Sequence, residues 1–554
     1  MEGKTMQRIN SYEEFVEIKS MIESQKDSKA RIISICGGAG CLSKDGSNLV
    51  SLFRETIEKS GLSERVEVKL TGCHGICSFG PSVIIYPEEI CYLKVKGDDV
   101  KEIVDETIVK ERIVERLLYE DGSCGKVAYL KDIPFYKKQT RYILGFNTKI
   151  DPTSIEDYIA HGGYAALAKA LFKMSPEKVL EEVKKANLRG RGGGGFPAGQ
   201  KWETTRNAKS DIKYVIVNGH EGEPGAYMDR AILGGNPHIV LEGLIIGAYA
   251  IGASQGFIYL RHDAPNLKKN IETAIDKAKK YGFLGKNIMG SGFDFDVEVH
   301  LDIGIFVSGE SSALMRSIEG RIPEPRPKYI RTSISGIFEK PSNLNNVETW
   351  ANVPLIIERG AEWYSKIGTE RSKGTKLISL SGKIKNAGVI EVPFGVSLRE
   401  IVYEIGGGLR DGKELKAVHF GSAMGGSIPR EMIDTPLDFD ECAKLGAPIG
   451  AGGLLVLDET DDILGLVSYF LDFLSTESCG KCVPCREGIR QIRKLLSKIK
   501  EGIGTEEDVE KIKEICEVQR KASLCALGRS ASSPLETAFK YFWNEFESRL
   551  TKEK

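Results

Sequence analysis

The chain has 554 residues, enough for about three or four domains that each bury a core of their own. Its 77 basic and 78 acidic residues cancel, so bulk charge gives no case for nucleic acid or an anionic membrane as a partner. The first residues lack the apolar core of a signal peptide, and the most apolar run, Ile239 to Ala253, is interrupted by Glu242 and too short to span a bilayer. The expected location is cytoplasmic, where the chain's 12 cysteines stay reduced.

Residues 11–26 predict a helix, Arg31–Cys36 a β-branched strand, Ser47–Ser60 a helix and Val66–Thr71 a strand. Short strands at Ser82–Tyr86 and Cys91–Val95 precede a helix near Asp98–Thr107. Strand–helix–strand followed by a hairpin is a thioredoxin-like order, assigned to residues 1–107. Cys36-x4-Cys41 and Cys73-x3-Cys77 sit at its strand ends, where four thiolates can converge without breaking a ladder. A connector, 108–150, leads to Asp151-Pro152-Thr153, which predicts a helix start with Asp or Thr as cap. Over 151–370 helices alternate with β-rich runs at Tyr214–Asn218, Gly256–Arg261 and Val297–Leu301, an α/β body. Within 371–458, strands at Lys376–Gly382, Gly388–Pro393 and Ala417–Phe420 around a helix at Ser397–Glu404 give a ubiquitin-like β-grasp pattern. Residues 459–554 are helical, with Ile489, Ile492, Leu496 and Ile499 forming a stripe of period near 3.6.

Two motifs carry chemistry. Cys479-Gly-Lys-Cys482-Val-Pro-Cys485 with a lone Cys525 offers four thiolates to one inorganic centre, the ligand set of a [4Fe–4S] cluster. A structural zinc is the competing reading, although it usually draws on two CxxC pairs. Cys91, Cys124, Cys442 and Cys516 read as buried small hydrophobes. The second motif is Leu188-Arg-Gly190-Arg191-Gly192-Gly-Gly-Gly195-Phe196-Pro197. Its glycines let a backbone approach a ligand and turn N–H groups onto phosphate, its arginines supply positive charge, and Lys201 follows within reach. The spacing is not that of an ordinary dinucleotide fingerprint. Three polar concentrations, at 217–225, 304–312 and 345–349, each read singly as a loop or helix cap, and together they offer the amide and carboxylate partners that a flavin requires.

Taken together, the glycine run, Asn218-x-x-Glu221-x-Glu223-Pro-Gly, Asn345-Asn346-Val-Glu348-Thr349 and the cysteine loop resemble the flavin subunit of NADH dehydrogenases. This family includes the 51-kDa subunit of respiratory complex I and its relatives in soluble hydrogenases and formate dehydrogenases. The resemblance covers about residues 150–554. The front hundred residues resemble the thioredoxin-like [2Fe–2S] module of the 24-kDa partner, a fusion similar to beta subunits of electron-bifurcating hydrogenases. It implies a multidomain α/β chain: a thioredoxin-like ferredoxin domain, a Rossmann-like FMN domain, a β-grasp domain of the SLBB type and a helical [4Fe–4S] domain. FMN is expected on Gly190, Arg191, Gly192 and Lys201, with Asn218, Glu221, Gly309, Glu310, Asn345, Asn346 and Thr349 around it. Phe196, Glu223 and Lys328 would line the NAD(P) site. Cys479, Cys482, Cys485 and Cys525 would hold [4Fe–4S], and Cys36, Cys41, Cys73 and Cys77 [2Fe–2S]. No side chain does acid–base work, because hydride passes directly between nicotinamide and flavin. Expected partners are a small 24-kDa-like [2Fe–2S] subunit and a larger iron–sulfur catalytic subunit of hydrogenase or formate dehydrogenase type.

The chain departs from the family at clustered positions. Ser311 replaces a Glu that approaches the adenosine ribose, and Arg331 and Thr204 replace aromatics. His220 stands for Asp and Phe306 for Tyr. Losing an acid at a ribose 2′-hydroxyl and gaining an Arg is the recipe for a 2′-phosphate, so Ser311 and Arg331 point to NADP(H). Drift in a pocket that keeps NAD(H), an FMN relay without nucleotide binding and a zinc-stapled scaffold are the alternatives.

Overall fold

The computed structural model describes residues 8–26, 31–122, 125–327 and 329–551; Lys328 and Cys124 lie outside the described residues. Near the front, β1 (Arg31–Cys36), β2 (Val66–Thr71), β3 (Val83–Tyr86) and β4 (Ile90–Tyr92) form a sheet in the order β2-β1-β3-β4. β2 runs parallel to β1, and the other two pairings are antiparallel. Ile33 and Ile35 of β1 and Val83 and Ile85 of β3 face the apolar side of helix Ser47–Lys59, burying Leu49 and Phe53. Cys36 pairs in register with Thr71, so the cysteine-bearing loops after β1 and β2 leave the sheet side by side.

Helix Tyr12–Lys26 forms where its sequence predicts, yet it does not join this front core. Ile9, Phe15 and Ile22 are buried in the central core, where the Phe15 ring meets Phe283 edge to face. Local pattern marks an apolar face; it does not say which distant surface that face will meet.

The central sheet is all parallel: β5 (Tyr214–Gly219), β6 (Gln255–Leu260), β7 (Asp296–Leu301) and β8 (Ser342–Asn346), in the order β8-β5-β6-β7. Both faces are covered, which is why its strands read as continuous apolar runs. Helix Pro237–Ile251 lies in the core on one face, and Leu314 and Met315 of helix Ser311–Ile318 pack on Ile216 and Tyr259 on the other. Asn236 caps the first of these helices, Pro237 fills its first turn, and Gly252 ends it in the left-handed conformation. Glu242, the charge inside that apolar run, accepts hydrogen bonds from Tyr158, Tyr164 and Leu167. Among the described residues no single helix is long and apolar enough to cross a membrane. The helix expected at Asp151-Pro152-Thr153 starts later: Ser154 caps Ile155–Ala160, and Asp151 is used in a local turn with Thr153.

The third sheet holds β9 (Thr375–Gly382), β10 (Gly388–Pro393), β11 (Leu415–Phe420), β12 (Gly426–Pro429) and β13 (Gly453–Asp458), in the order β10-β9-β13-β11-β12. Its first and last strands, β9 and β13, are parallel neighbours at the centre. β12 and β13 were not legible: the first is four residues bounded by Gly and Pro, and the second is an apolar run without alternation. The helix expected at Ser397–Glu404 is a wider turn of π type over Glu400–Ile405. Behind this sheet, helices Ile463–Glu477, Val483–Lys500, Glu506–Ala522 and Ser533–Tyr541 enclose a separate core, with Ile489, Ile492, Leu496 and Ile499 buried as their spacing predicts.

Candidate functional site

All four strands of the central sheet point their carboxyl ends to one edge, the position where open α/β sheets bind ligands. β5 delivers Asn218 there and β8 delivers Asn345 and Asn346, with Asn346 in register beside Asn218. Asn218 Nδ2 donates to the Gly309 carbonyl at 3.0 Å, which brings the 304–310 segment to the same edge. The glycine loop closes over it. Gly190 N–H bonds the Phe196 carbonyl at 2.9 Å, and the Arg191 N–H bonds Thr349 Oγ1 at 2.9 Å. At Gly192 a Cβ would stand 2.9 Å from the Asn346 Cβ, so only glycine permits this approach.

The loop's arginines do not present their charge to a ligand. Arg189 donates to the Gly195 carbonyl and grips Asp440 at 3.0 and 3.2 Å, with its guanidinium over the Phe439 ring. Arg191 is fully buried; its guanidinium reaches Tyr364, the Arg189 and Lys373 carbonyls, and the Glu348 carboxylate at 3.7 Å. Glu348 in turn holds the buried Lys376 ammonium and accepts the Leu377 N–H. Both guanidinia shape the loop from behind, and the expectation that they neutralise phosphate gives way to that role. Glu348 stands in a motif the sequence singles out; Tyr364, Lys376 and Asp440 carry no local signal.

The cation left facing the site is Lys201. Its Nζ bonds the Leu344 carbonyl at 2.6 Å, no carboxylate pairs with it among the described residues, and burial pushes it down to about 8. The same edge of the sheet and the loops after it hold buried polar atoms without partners: Asn345 Nδ2, Glu223 Oε2 and His220 Nδ1. Burial first, then repulsion from Glu221, pushes Glu223 up to about 7. Glu221 caps the segment after it, accepting N–H bonds from Asp229 and Arg230 at 2.9 and 3.1 Å. Glu310 caps helix Ser311–Ile318 through Ser312 and Ala313. Ser311 Oγ turns back onto Glu310 at 3.2 Å. Arg331 is exposed in a loop that Arg326 ties to that helix, through its N–H to Ser312 Oγ and a guanidinium bond to the Ser335 carbonyl. Phe196 is 54 % exposed beside the glycine loop. A cradle of close-approach glycines, a lysine without a counter-anion and unpartnered amide, carboxyl and imidazole atoms fits a phosphorylated, polar-edged ring such as FMN.

Cys479, Cys482, Cys485 and Cys525 line one cavity, walled by Val307, Pro325, Leu524 and Leu527. Cys479 and Cys482 lie on the turn before helix Val483–Lys500, Cys485 is in its first turn, and Cys525 precedes helix Ala526–Ser530. Burial pushes Cys485 up to about 12 and raises Cys525. Buried neutral thiols of this kind become ligands only when a metal centre takes their protons. Four sulfurs around one cavity are the ligand set of a [4Fe–4S] cluster.

In the front unit, hydrogen bonding to Cys41 and Cys73 pulls Cys36 well below the ordinary thiol range, helped by a 3.4 Å bond from the His74 N–H. A hydrogen bond with Cys73 likewise lowers Cys77. The four predicted thiols are therefore neighbours. Cys91, Cys442 and Cys516 are buried, and burial pushes all three up, as expected of packing residues.

Residues 183–355 match the family model described as Nuo51 FMN-binding domain, and residues 465–549 match that of the NADH-ubiquinone oxidoreductase-F iron-sulfur binding region. The HndC component of the NADP-reducing hydrogenase of Solidesulfovibrio fructosivorans is 46% identical over 418 residues, 76% of this chain and 85% of the relative. The chain belongs to the NADH-quinone oxidoreductase F family of flavin proteins. The F component of the Escherichia coli (strain K12) NADH-quinone oxidoreductase is 39% identical over 72% of this chain and 90% of its own. An NAD+-reducing [NiFe]-hydrogenase, in its H2-reduced state, superposes with a TM-score of 0.67 at 25% identity, covering 98% of this chain and 91% of that one. As a member of this family the chain is an oxidoreductase subunit with an FMN-binding domain and a [4Fe–4S] region.

Proposed function

We propose that this subunit is the electron entry of a multisubunit complex, taking hydride from NAD(P)H and releasing single electrons through [4Fe–4S]. One observation carries the reading: segment 304–310 is a shared wall. Its Gly309 carbonyl receives Asn218 on the flavin side. Its Val307 lines the cysteine cavity, and Phe306 N–H is anchored at 2.7 Å to Glu477 of the cluster-bearing helices. Bound FMN supplies the hydride acceptor and the conversion of a two-electron packet to single electrons. The chain's residues do the rest. Lys201 holds the phosphate, Asn218, Asn345 and Asn346 orient the ring, and exposed Phe196 offers a face to the nicotinamide. Glu223, raised to about 7 by burial, lines the nucleotide side with a charge that changes around neutral pH.

In this reading the front unit is a thioredoxin-like domain with a [2Fe–2S] centre on Cys36, Cys41, Cys73 and Cys77, supported by the contact among those thiols. The third sheet is a β-grasp domain, supported by its strand order with parallel outer-in-sequence strands at the centre. The location is cytoplasmic, and iron–sulfur subunits of a hydrogenase or formate dehydrogenase receive the electrons. The nucleotide is NADP(H), supported by Ser311 at the helix start and Arg331 in the loop pinned to the same helix. Viologen reduction by FMN- and cluster-loaded protein, run with NADH and NADPH side by side, tests this. NADPH should be preferred, and Arg331→Ala with Ser311→Glu should reverse the preference by about tenfold or more. A tenfold preference for NADH in the unaltered protein sinks the NADP assignment, and no activity with either nucleotide sinks the hydride path.

A further inference from the structure

Behind the carboxyl edge of the central sheet lie ionisable groups that the hydride path leaves unused. His220, just past the end of β5, has a fully buried side chain whose Nε2 lies 2.7 Å from Asp302 Oδ2 and 3.1 Å from Ser308 Oγ. The Ser308 hydroxyl donates to the Ile305 carbonyl at 2.6 Å, so its oxygen accepts from His220 and Nε2 carries the hydrogen. Asp302 Oδ1 accepts from His262, through its N–H at 2.9 Å and Nδ1 at 2.7 Å. Burial opposes ionisation of Asp302, yet hydrogen bonds from His220 and His262 hold it well below the usual carboxylate range. The other imidazole nitrogen, His220 Nδ1, is left as a buried lone pair with no partner. It faces Gly309, where a Cβ would stand 2.6 Å away.

The remaining charged or titratable neighbours are committed elsewhere. Tyr259 of β6 stacks on His220 at 6.1 Å and donates to Ser317. Arg261 is paired with Asp263 at 2.7 Å. Glu221 and Glu310, to either side, cap helices. His262 is half exposed, so the row His220–Asp302–His262 runs from the buried sheet edge to solvent.

We propose that His220 is a redox-linked proton acceptor, taking a proton at Nδ1 when reduction adds negative charge to the pocket. This rests on the flavin reading above. The step forms one N–H bond at Nδ1, with the proton drawn from solvent acid; the Nε2–H bond to Asp302 stays in place and no electron passes through the imidazole. Asp302 is the positioning residue whose fixed charge favours the imidazolium. An aspartate at 220, beside an ionised Asp302, would add like charge and could not compensate reduction.

Spectroelectrochemical titration of the FMN-loaded full chain, from about pH 5.5 to 9, tests the proposal. Besides the bend that ionisation of the reduced flavin's own N1 gives, the plot of flavin midpoint potential against pH should carry a second, histidine-dependent bend. That second bend should vanish in His220→Asn and move down by about one pH unit or more in Asp302→Asn, which keeps the imidazole and removes its counter-charge. A plot with no bend beyond the flavin's own overturns the proposal, as does a second bend that survives His220→Asn or stays in place in Asp302→Asn. If His220→Asn does not retain FMN, the Asp302→Asn result decides alone. Failure of the unaltered chain to bind FMN would instead refute the flavin reading.

Discussion

At the scale of single residues, the division of labour among the basic groups is the instructive result. A reading of residue types puts Arg191 and Lys201 together on a phosphate. The structure separates them: Arg191 is spent on Tyr364 and backbone carbonyls, while Lys201 has a carbonyl and no carboxylate. A cation held near pH 8 by burial is charged at neutral pH and loses its proton as pH rises through that value. FMN affinity of the apoprotein should therefore decline above about pH 8, read by the quenching of flavin fluorescence. Lys201→Gln should bind FMN about tenfold or more weakly at pH 7 and lose that pH dependence. Affinity that is unchanged in the variant would place the phosphate elsewhere. The glycines and Lys201 stand out in the sequence because backbone permissiveness and spacing along one loop and helix are local features. It could not assign the guanidinia, since what an arginine does depends on acceptors far away in the chain.

Among elements, the glycine loop is the case in point. Its side-chain-poor backbone is fixed by a bidentate grip from Arg189 on Asp440, 251 residues distant in sequence and next to the third sheet. Arg189→Ala and Asp440→Asn should each weaken FMN binding several-fold, and the double variant should be no worse than the single ones. A thermodynamic cycle on FMN dissociation constants measures this, and additive losses would show that the two residues act separately. Elements with a clear period or cap were readable: β1, β2 and β10 fall where expected, as does the buried stripe of helix Val483–Lys500. What escaped was partnership. β13 is last in the third sheet by sequence and central in space, and helix Tyr12–Lys26 belongs to a core begun more than a hundred residues later.

For the whole molecule, buried carboxyls at the joints set how stability depends on pH. Glu391 sits where the connector meets the third sheet, accepting the N–H groups of Ile143 and Leu144 at 2.9 Å and the Thr375 hydroxyl at 2.8 Å. Glu242 lies in the central core. Burial pushes each up to about 7. A carboxyl whose folded value lies above its unfolded value costs stability once it must ionise. The cost grows as pH rises from about 4.5 to 7 and is complete above that, on the order of 3 kcal/mol per group. Glu391→Gln keeps an oxygen for both N–H groups and an amide for Thr375, so it should raise the apoprotein's Tm above pH 7 and leave it nearly unchanged near pH 5. A variant less stable than the parent at pH 8 would mean that the charged form is the one the joint prefers.

The Arg189–Asp440 grip also sets a timetable. A ribosome delivers the glycine loop roughly 250 residues before the aspartate that holds it shut, which at about 5–20 residues per second is a delay of some tens of seconds or less. Throughout that interval the nascent chain has the glycines of a flavin site without its shape. Full-affinity cofactor capture is thus a late event in the life of the polypeptide, and a chain released early, before residue 440, should need several-fold more FMN to become coloured.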